Sequence, residues 1–426
     1  MPDAAAVRRS VAAVWRIESA RIVAGLTRMT GDFAFAEDLA QDALAAALEQ
    51  WPAEGVPRHP GAWLTAVAKR RAIDQWRRRE RQDARVAVIA HDLEEEQRLA
   101  VDADPSDPDE IHDDMLRLVF IACHPVLARE ARVALTLRVV GGLTSEEIAR
   151  MFLQPVATVQ QRIVRAKKQL AGVPFEVPPR EEFDERLGGV LGVLYLVFTE
   201  GHTATAGDDW MRPELSFEAV RLARVLVGLA PREPEVHALL ALMELTAARF
   251  PARLGADGEP VLLAEQDRRR WDRAAIRRGR ASLARAQEIA GDRGLGPYAL
   301  QAAIAEQHDL ATSVEATDWA RIVAAYDGLA ALAPSPVIEL NRAVAVSMAE
   351  GPAAGLAIVD GLAGEKRLAV THLLPSVRGE LLARLGRDEE AHAEFERAAG
   401  LARNARERAV LLAKAAATGG RRPADA

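Results

Sequence analysis

Apolar residues recur at intervals of three and four along almost the whole chain, and no alternating run of β-branched residues is long enough to propose a strand. The pattern predicts an all-α protein. Between Val7 and Trp51 it predicts two or three helices. The last covers Phe35 to Gln50, with Ala40, Leu44, Ala47, Leu48 and Trp51 on an inward stripe and Asp38, Gln41, Asp42 and Glu49 opposite. WPAEGVPRHPGAW, with three prolines and two glycines, forces a turn. In the helix that follows, Leu64, Ala68 and Ala72 repeat at four, flanked by Trp63 and Val67. Helices resume from Met115 to Leu170. Thr144 with Glu147 makes a capping box opening a short helix, Gln154-Pro155 ends it, and a second helix begins near Val156. There Val159, Ile163, Ala166 and Leu170 form the inward stripe. Thr158, Gln161, Arg165 and Lys168 point the other way, with Gln160 and Arg162 on the flanks.

After the proline-rich GVPFEVPPREEF, a tail of about 250 residues reads as about ten helices separated by Gly or Pro turns. They include AEQDRRRWDRAAIRRGRASLARAQEIA and the pair Pro336 to Ala349 and Ala353 to Leu362. Near the end, THLLPSVRGELLARLGRDEEAHAEFERAAGLA is similar to a tetratricopeptide repeat, with its turn at Leu385-Gly386. The turn at Gly351 precedes Gly386 by 35 residues, close to one repeat length. Such helical pairs bury their faces on neighbours and offer a concave surface to peptides or helices of other proteins.

Charge sharpens this picture. The net charge of -7 means that the whole molecule is repelled by nucleic acid, so any DNA binding rests on local patches. One such patch lies between Lys69 and Arg81, where seven basic side chains face two acidic ones, with Trp63 and Trp76 close by. Cations there would neutralise phosphates and indoles would stack on unpaired bases; a solvated basic helix beside two core tryptophans is the other reading. Asp92 to Asp114 carries eleven acidic residues against one Arg, which predicts a linker between folded pieces. The short helix, tight turn and second helix ending near Leu170 describe a helix-turn-helix. Gln and Arg on its outer face suit adenine and guanine edges, and Thr158 can reach a phosphate; an ordinary helical hairpin with a basic side is the alternative.

Several function classes fall away. Cys123 is the single cysteine, so no internal disulfide framework is possible, and with His124 alone beside it a buried thiol is expected rather than a metal or nucleophile site. The N-terminus lacks the apolar core of an export signal, and Leu187 to Phe198, interrupted by three glycines, is too short to span a bilayer. A cytoplasmic protein without membrane association is expected. Glu200 to Asp209 and the arginine cluster Asp267 to Arg280 lack the spacing of a metal, triad or phosphate-loop motif, so no catalytic residue, metal or cofactor is expected and the chain is read as no enzyme.

AEDLAQDAL (Ala36 to Leu44), PGAWLTAVAKRRAIDQWRRR (Pro60 to Arg79) and LTSEEIARMFLQPVATVQQRIVRAKKQL (Leu143 to Leu170) together resemble, in order and spacing, the extracytoplasmic-function type of bacterial RNA polymerase sigma factor. With its tail, the chain looks like the subgroup bearing a tetratricopeptide-like extension. The resemblance implies sigma region 2 over 1-90, an acidic linker over 91-112, a sigma region 4 helix-turn-helix over 113-175 and a helical extension over 176-420. It implies that Asp38, Gln41 and Asp42 meet core RNA polymerase. Trp63, Lys69, Arg70, Arg71, Asp74, Gln75, Arg77 and Arg78 would line the minus-ten strand of promoter DNA, although many relatives carry Asn where Arg70 stands. Thr158, Gln160, Gln161, Arg162, Arg165 and Lys168 would face the minus-35 duplex. For the tail it implies a regulatory or assembly role, with small DGPF-type proteins as partners. A helix-turn-helix repressor or activator with a helical sensor tail, working without polymerase, is the competing reading.

Overall fold

The computed structural model describes residues 4–80, 108–152, 154–202, 211–255, 261–402 and 405–419. These residues are helical, with no β-strand among them, and no helix is long and apolar enough to cross a membrane. Contacts divide the chain into two compact units, Met1–Leu194 and Tyr195–Ala426.

The first unit begins with α1 (Ala4–Thr30), α2 (Phe33–Glu54) and α3 (Pro60–Glu80), which pack on one another. Asp32 starts α2 by accepting a hydrogen bond from the Phe35 amide at 3.0 Å, and Gly55, with φ +85°, ends it. Both are ordinary solutions to unpaired helix ends. Leu64, Ala68 and Ala72 of α3 are buried as their spacing predicts. The stripe predicted on α2 holds at Ala40, Ala47 and Trp51, whereas Leu48 is 43% exposed. Covered by both α1 and α3, α2 buries Ala36, Leu39, Ala43 and Ala46 instead, a wider face than one stripe.

The chain re-enters at α4 (Pro108–Ala122), followed by α5 (Arg129–Val139), α6 (Ser145–Met151), α7 (Val156–Gln169) and α8 (Arg180–His202). The end of the acidic stretch expected as linker is therefore helical. Asp114 can be buried there because Arg28 Nε at 2.8 Å and Arg117 Nη1 at 2.7 Å neutralise it. The capping box forms as predicted: the Glu147 amide donates to Thr144 Oγ1 at 3.1 Å and the Thr144 amide donates to Glu147 Oε2 at 2.8 Å. Val159, Ile163, Ala166 and Leu170 are all buried, which fixes the rotation of α7. Cys123 is a free buried thiol, 3.3 Å from Thr136 Oγ1, and burial pushes its pKa up to about 11, away from nucleophilic chemistry.

In the second unit the chain continues through α9 (Pro213–Leu229), α10 (Pro234–Ala247), α11 (Arg273–Ala290), α12 (Pro297–Leu310), α13 (Trp319–Leu332), α14 (Pro336–Ala349), α15 (Pro352–Gly361), α16 (Lys366–Ala369), α17 (Leu373–Arg384), α18 (Asp388–Leu401) and α19 (Ala405–Gly419). From α9 onward most helices pack on their chain neighbours, as expected of stacked helical pairs. Gly386, with φ +74°, makes the expected turn between α17 and α18. One predicted helix is shorter than its sequence suggested. Before α11 the chain makes short 3-10 turns at Leu263–Glu265 and Arg268–Arg270, and α11 begins only after Asp272, whose carboxylate accepts from the Ala274 and Ala275 amides. Burial of Trp271, with Arg268 stacked over its ring at 4.7 Å, holds the break.

Candidate nucleic-acid and polymerase interfaces

Three helices of the first unit carry the predicted site residues. On α2, Asp38 is exposed and Gln41 and Asp42 are half-buried. Asp42 Oδ2 lies 3.4 Å from Arg71 Nη1 of α3, tying the acidic row to the basic helix. Asp38 Oδ1 accepts from Lys167 Nζ of α7 at 2.7 Å. Its neighbour Glu37 is buried, accepts from the same Lys167 Nζ at 2.7 Å and stands 3.5 Å from Arg138 Nε. Sequence reasoning named neither Glu37 nor Lys167. The available signal was an acidic side chain beside the apolar positions of α2, since a carboxylate taken out of water needs a cationic partner. Burial of Lys167 works against its charge, but Glu37 and Asp38 outweigh it and raise the pKa, so this ammonium stays charged at physiological pH.

On α3, Trp63 is half-buried and meets Trp51 edge to face, centroids 5.4 Å apart, leaving part of its indole accessible. Lys69, Arg71 and Gln75 are half-buried and Arg70 and Asp74 exposed. Arg77 and Arg78 belong to the last turn of α3, and their side chains lie outside the described residues. The helix thus presents cations and an aromatic edge over a buried apolar seam, a surface able to hold phosphates and stack bases.

On α7, Thr158, Gln160, Gln161, Arg165 and Lys168 are exposed, as the inward stripe requires. Arg162 is half-buried, and its Nη1 donates to Gln154 Oε1 at 2.9 Å, so it also braces the turn before the helix. A helix with amide and guanidinium groups on its free side can enter a major groove and read base edges.

The other clusters singled out in the sequence read differently. Glu200 to His202 close α8, with His202 against Phe198 and Phe250, while 203–210 lie outside the described residues. Several arginines of the tail cluster are engaged within the protein: Arg269 pairs with Asp267, Arg278 with Glu244 and Arg280 with Glu306. They support helix packing more than they offer a free anion site.

Comparison with known proteins agrees with this geometry. The model of sigma-70 region 2 matches residues 17–82 and that of sigma-70 region 4 matches 117–170, while a family of unknown function, DUF6596, matches 186–287. An uncharacterized protein of Rhizobium meliloti (strain 1021) is 43% identical over 389 residues, covering 91% of this chain and 90% of its own. No solved structure matches. Sigma regions 2 and 4 are parts of proteins that bind core RNA polymerase and promoter DNA and regulate transcription rather than catalyse a reaction. With the second half of α1, α2 and α3 inside one match and the end of α4 through α7 inside the other, the chain belongs to the sigma-70 family, as an extracytoplasmic-function-like sigma factor with a C-terminal helical extension.

Proposed function

We propose that the chain is an extracytoplasmic-function sigma factor whose three site-bearing helices divide the work of initiation. The acidic row Asp38, Gln41 and Asp42 on α2 meets core polymerase. α3 takes the melted minus-ten strand on Trp63, Lys69, Arg70, Arg71, Asp74 and Gln75, extended by Arg77 and Arg78. α7 reads the minus-35 duplex with Thr158, Gln160, Gln161, Arg165 and Lys168, Arg162 acting partly through the turn it braces. The observation that carries this reading is the pairing, on one chain, of a basic tryptophan-bearing α3 with an α7 whose polar face is exposed over a buried stripe. A regulator of duplex DNA has use for α7 alone; a protein that also holds an opened strand needs both.

The tail is a regulatory module that accepts a protein partner, and small DGPF-type proteins are the first to assay against it. It is a compact unit of stacked helices beyond the sigma matches, which suits a role in partner binding.

The test is initiation by full-length protein with core polymerase on duplex and pre-melted promoters. Arg165→Ala should weaken both templates alike. Lys69→Ala with Arg70→Ala should weaken the duplex promoter more than the pre-melted one if those residues help open it, or both equally if they only hold the opened strand. Loss of neither activity in either variant contradicts the assignment.

A further inference from the structure

In the second unit, several arginines converge on one buried acid at the end of α12. The Asp309 side chain is wholly enclosed, and neither of its oxygens has a hydrogen-bond partner among the described residues. Arg249, just after α10, brings Nε to 3.9 Å from Asp309 Oδ1, too far for a hydrogen bond. Its side chain is 14% exposed and makes no hydrogen bond among the described residues. Arg268, in the 3-10 turn before α11, donates from Nη1 to the His308 and Ala311 carbonyls at 2.6 and 2.8 Å. Those bonds anchor its guanidinium at the C-terminal end of α12, 4.7 Å from the Trp271 ring centre. Arg273 opens α11 and donates from Nη2 to the Arg268 carbonyl at 3.2 Å. All three guanidinium charges act on Asp309.

The acids around this cluster do not balance it. Glu306 of α12 accepts from Arg280 at 2.9 Å, Asp267 accepts from Arg269 at 2.9 Å, and Asp272 caps α11. Glu315, exposed, offsets part of the Arg268 charge. At the start of α13, Asp318 pairs with Arg321 at 3.2 Å, and the Trp319 ring meets His308 edge to face at 5.3 Å. The basic groups feel one another instead. Burial and then the Arg249 charge lower the pKa of Arg253 to about 10, and burial followed by Arg249 and Arg268 lowers that of His308 to about 3. On α8, burial with Arg253 and Arg249 holds His202 well below its ordinary value. Positive charge drawn out of water without a counter-ion is costly, so the arrangement calls for an anion.

We propose that Arg249, Arg268 and Arg273 form the binding site of a small oxyanionic ligand, a carboxylate or a phosphate, with Asp309 at its inner end and Arg273 at its mouth. Guanidinium groups grip such ligands through paired N–H donors, and the Arg249 donors are uncommitted among the described residues. Asp309 takes part as the neutral acid, donating its proton to the ligand; burial, which raises its pKa to about 7, keeps that proton in place. Exposure falls from Arg273 at the surface through half-buried Arg268 to Arg249 and Asp309, which gives the ligand a direction of entry. The site lies within the second unit, so its occupancy can be measured whether or not α3 and α7 meet promoter DNA.

Titration calorimetry of the full chain at constant ionic strength tests the site, with succinate as the carboxylate probe and sulfate standing in for a phosphate dianion. At least one probe should bind saturably, near one per chain, and the tighter of the two tells a carboxylate ligand from a phosphate. Arg249→Met and Arg273→Gln should each weaken binding about tenfold or more. Arg273 is exposed, so its variant guards against misfolding of the other. Both probes stay ionised between pH 6.5 and pH 8.5, whereas the free site loses the Asp309 proton across that range. Affinity should therefore fall about twentyfold. Asp309→Asn, whose amide donates without titrating, should still bind and should abolish that fall. No saturable binding of either probe, unchanged affinity in either arginine variant, or a pH dependence that survives in Asp309→Asn would overturn the site.

Discussion

Asp309, on α12, buries its side chain completely, at 0% exposure, and neither carboxylate oxygen has a hydrogen-bond partner among the described residues. Arg249 Nε approaches only to 3.9 Å. Burial pushes the Asp309 pKa up from 3.8 to about 7, against the pull of Arg249, Arg268 and Arg273. Because the folded value lies above the unfolded one, the folded state holds the proton more tightly, and stability falls as pH rises from 3.8 through about 7. That rise corresponds to about 4 kcal/mol lost at pH 8, and to well under half of that at pH 5, where only the first part of the window has been crossed. His308 beside it runs the other way: burial, with Arg249 and Arg268, lowers its pKa from 6.5 to about 3, so its contribution is present above 6.5 and lost as pH falls toward 3. Below pH 6.5 the two offset each other in the wild type. Asp309→Asn, which keeps the shape and removes the ionisation, should therefore stabilise the second unit far more at pH 8 than at pH 5. Thermal unfolding of the full chain at both pH values reads this directly. With about 2–4 °C per kcal/mol for a unit of this size, the gain should be about 10 °C at pH 8 and less than half of that at pH 5. Equal effects at the two pH values, or destabilisation at pH 8, would refute the argument.

The capping box gives a second expectation: Thr144→Ala removes one N-cap acceptor and should cost about 1 kcal/mol, with faster amide exchange in α6 before the rest of the first unit loosens. Leu64→Ala opens a cavity at a fully buried position of α3 and should cost about 2–5 kcal/mol in denaturant unfolding. At the exposed face of α7, Arg165→Ala should weaken duplex binding and reduce the salt slope by about 1 if it meets a phosphate, whereas Gln161→Ala should relax base preference by about 1–3 kcal/mol at one position. Binding isotherms at several salt concentrations on promoter and mismatched duplexes check both.

What could be read from the sequence was local in origin. The stripe of α7, the Thr144–Glu147 box and the Leu64–Ala68–Ala72 seam depend on residues three or four apart, and all three appear in place. Terms set by distant partners were not legible. Leu48 stands exposed because α2 is covered by α1 and α3 from directions its own periodicity does not specify. Asp114 reads as linker until Arg28, 86 residues away in sequence, pairs with it. Glu37 and Lys167, separated by 130 residues, meet only because the fold brings α2 and α7 together. At α11 the arginine-rich lead-in had helical composition, yet the capping carboxylate of Asp272 and the burial of Trp271 start the helix later than propensity suggests. Composition therefore pointed to the candidate helices, and tertiary pairing decided which of their charges remain exposed.

The most direct measurement is in vitro transcription with purified core polymerase and full-length protein on the gene's own upstream region and on a pool of genomic promoters. The sigma-factor reading predicts initiation at discrete start sites that depends on this chain and is lost when the α7 face is substituted. Binding of duplex DNA by the chain alone, with no specific initiation on any template, would contradict it and favour a helix-turn-helix regulator that works without the polymerase.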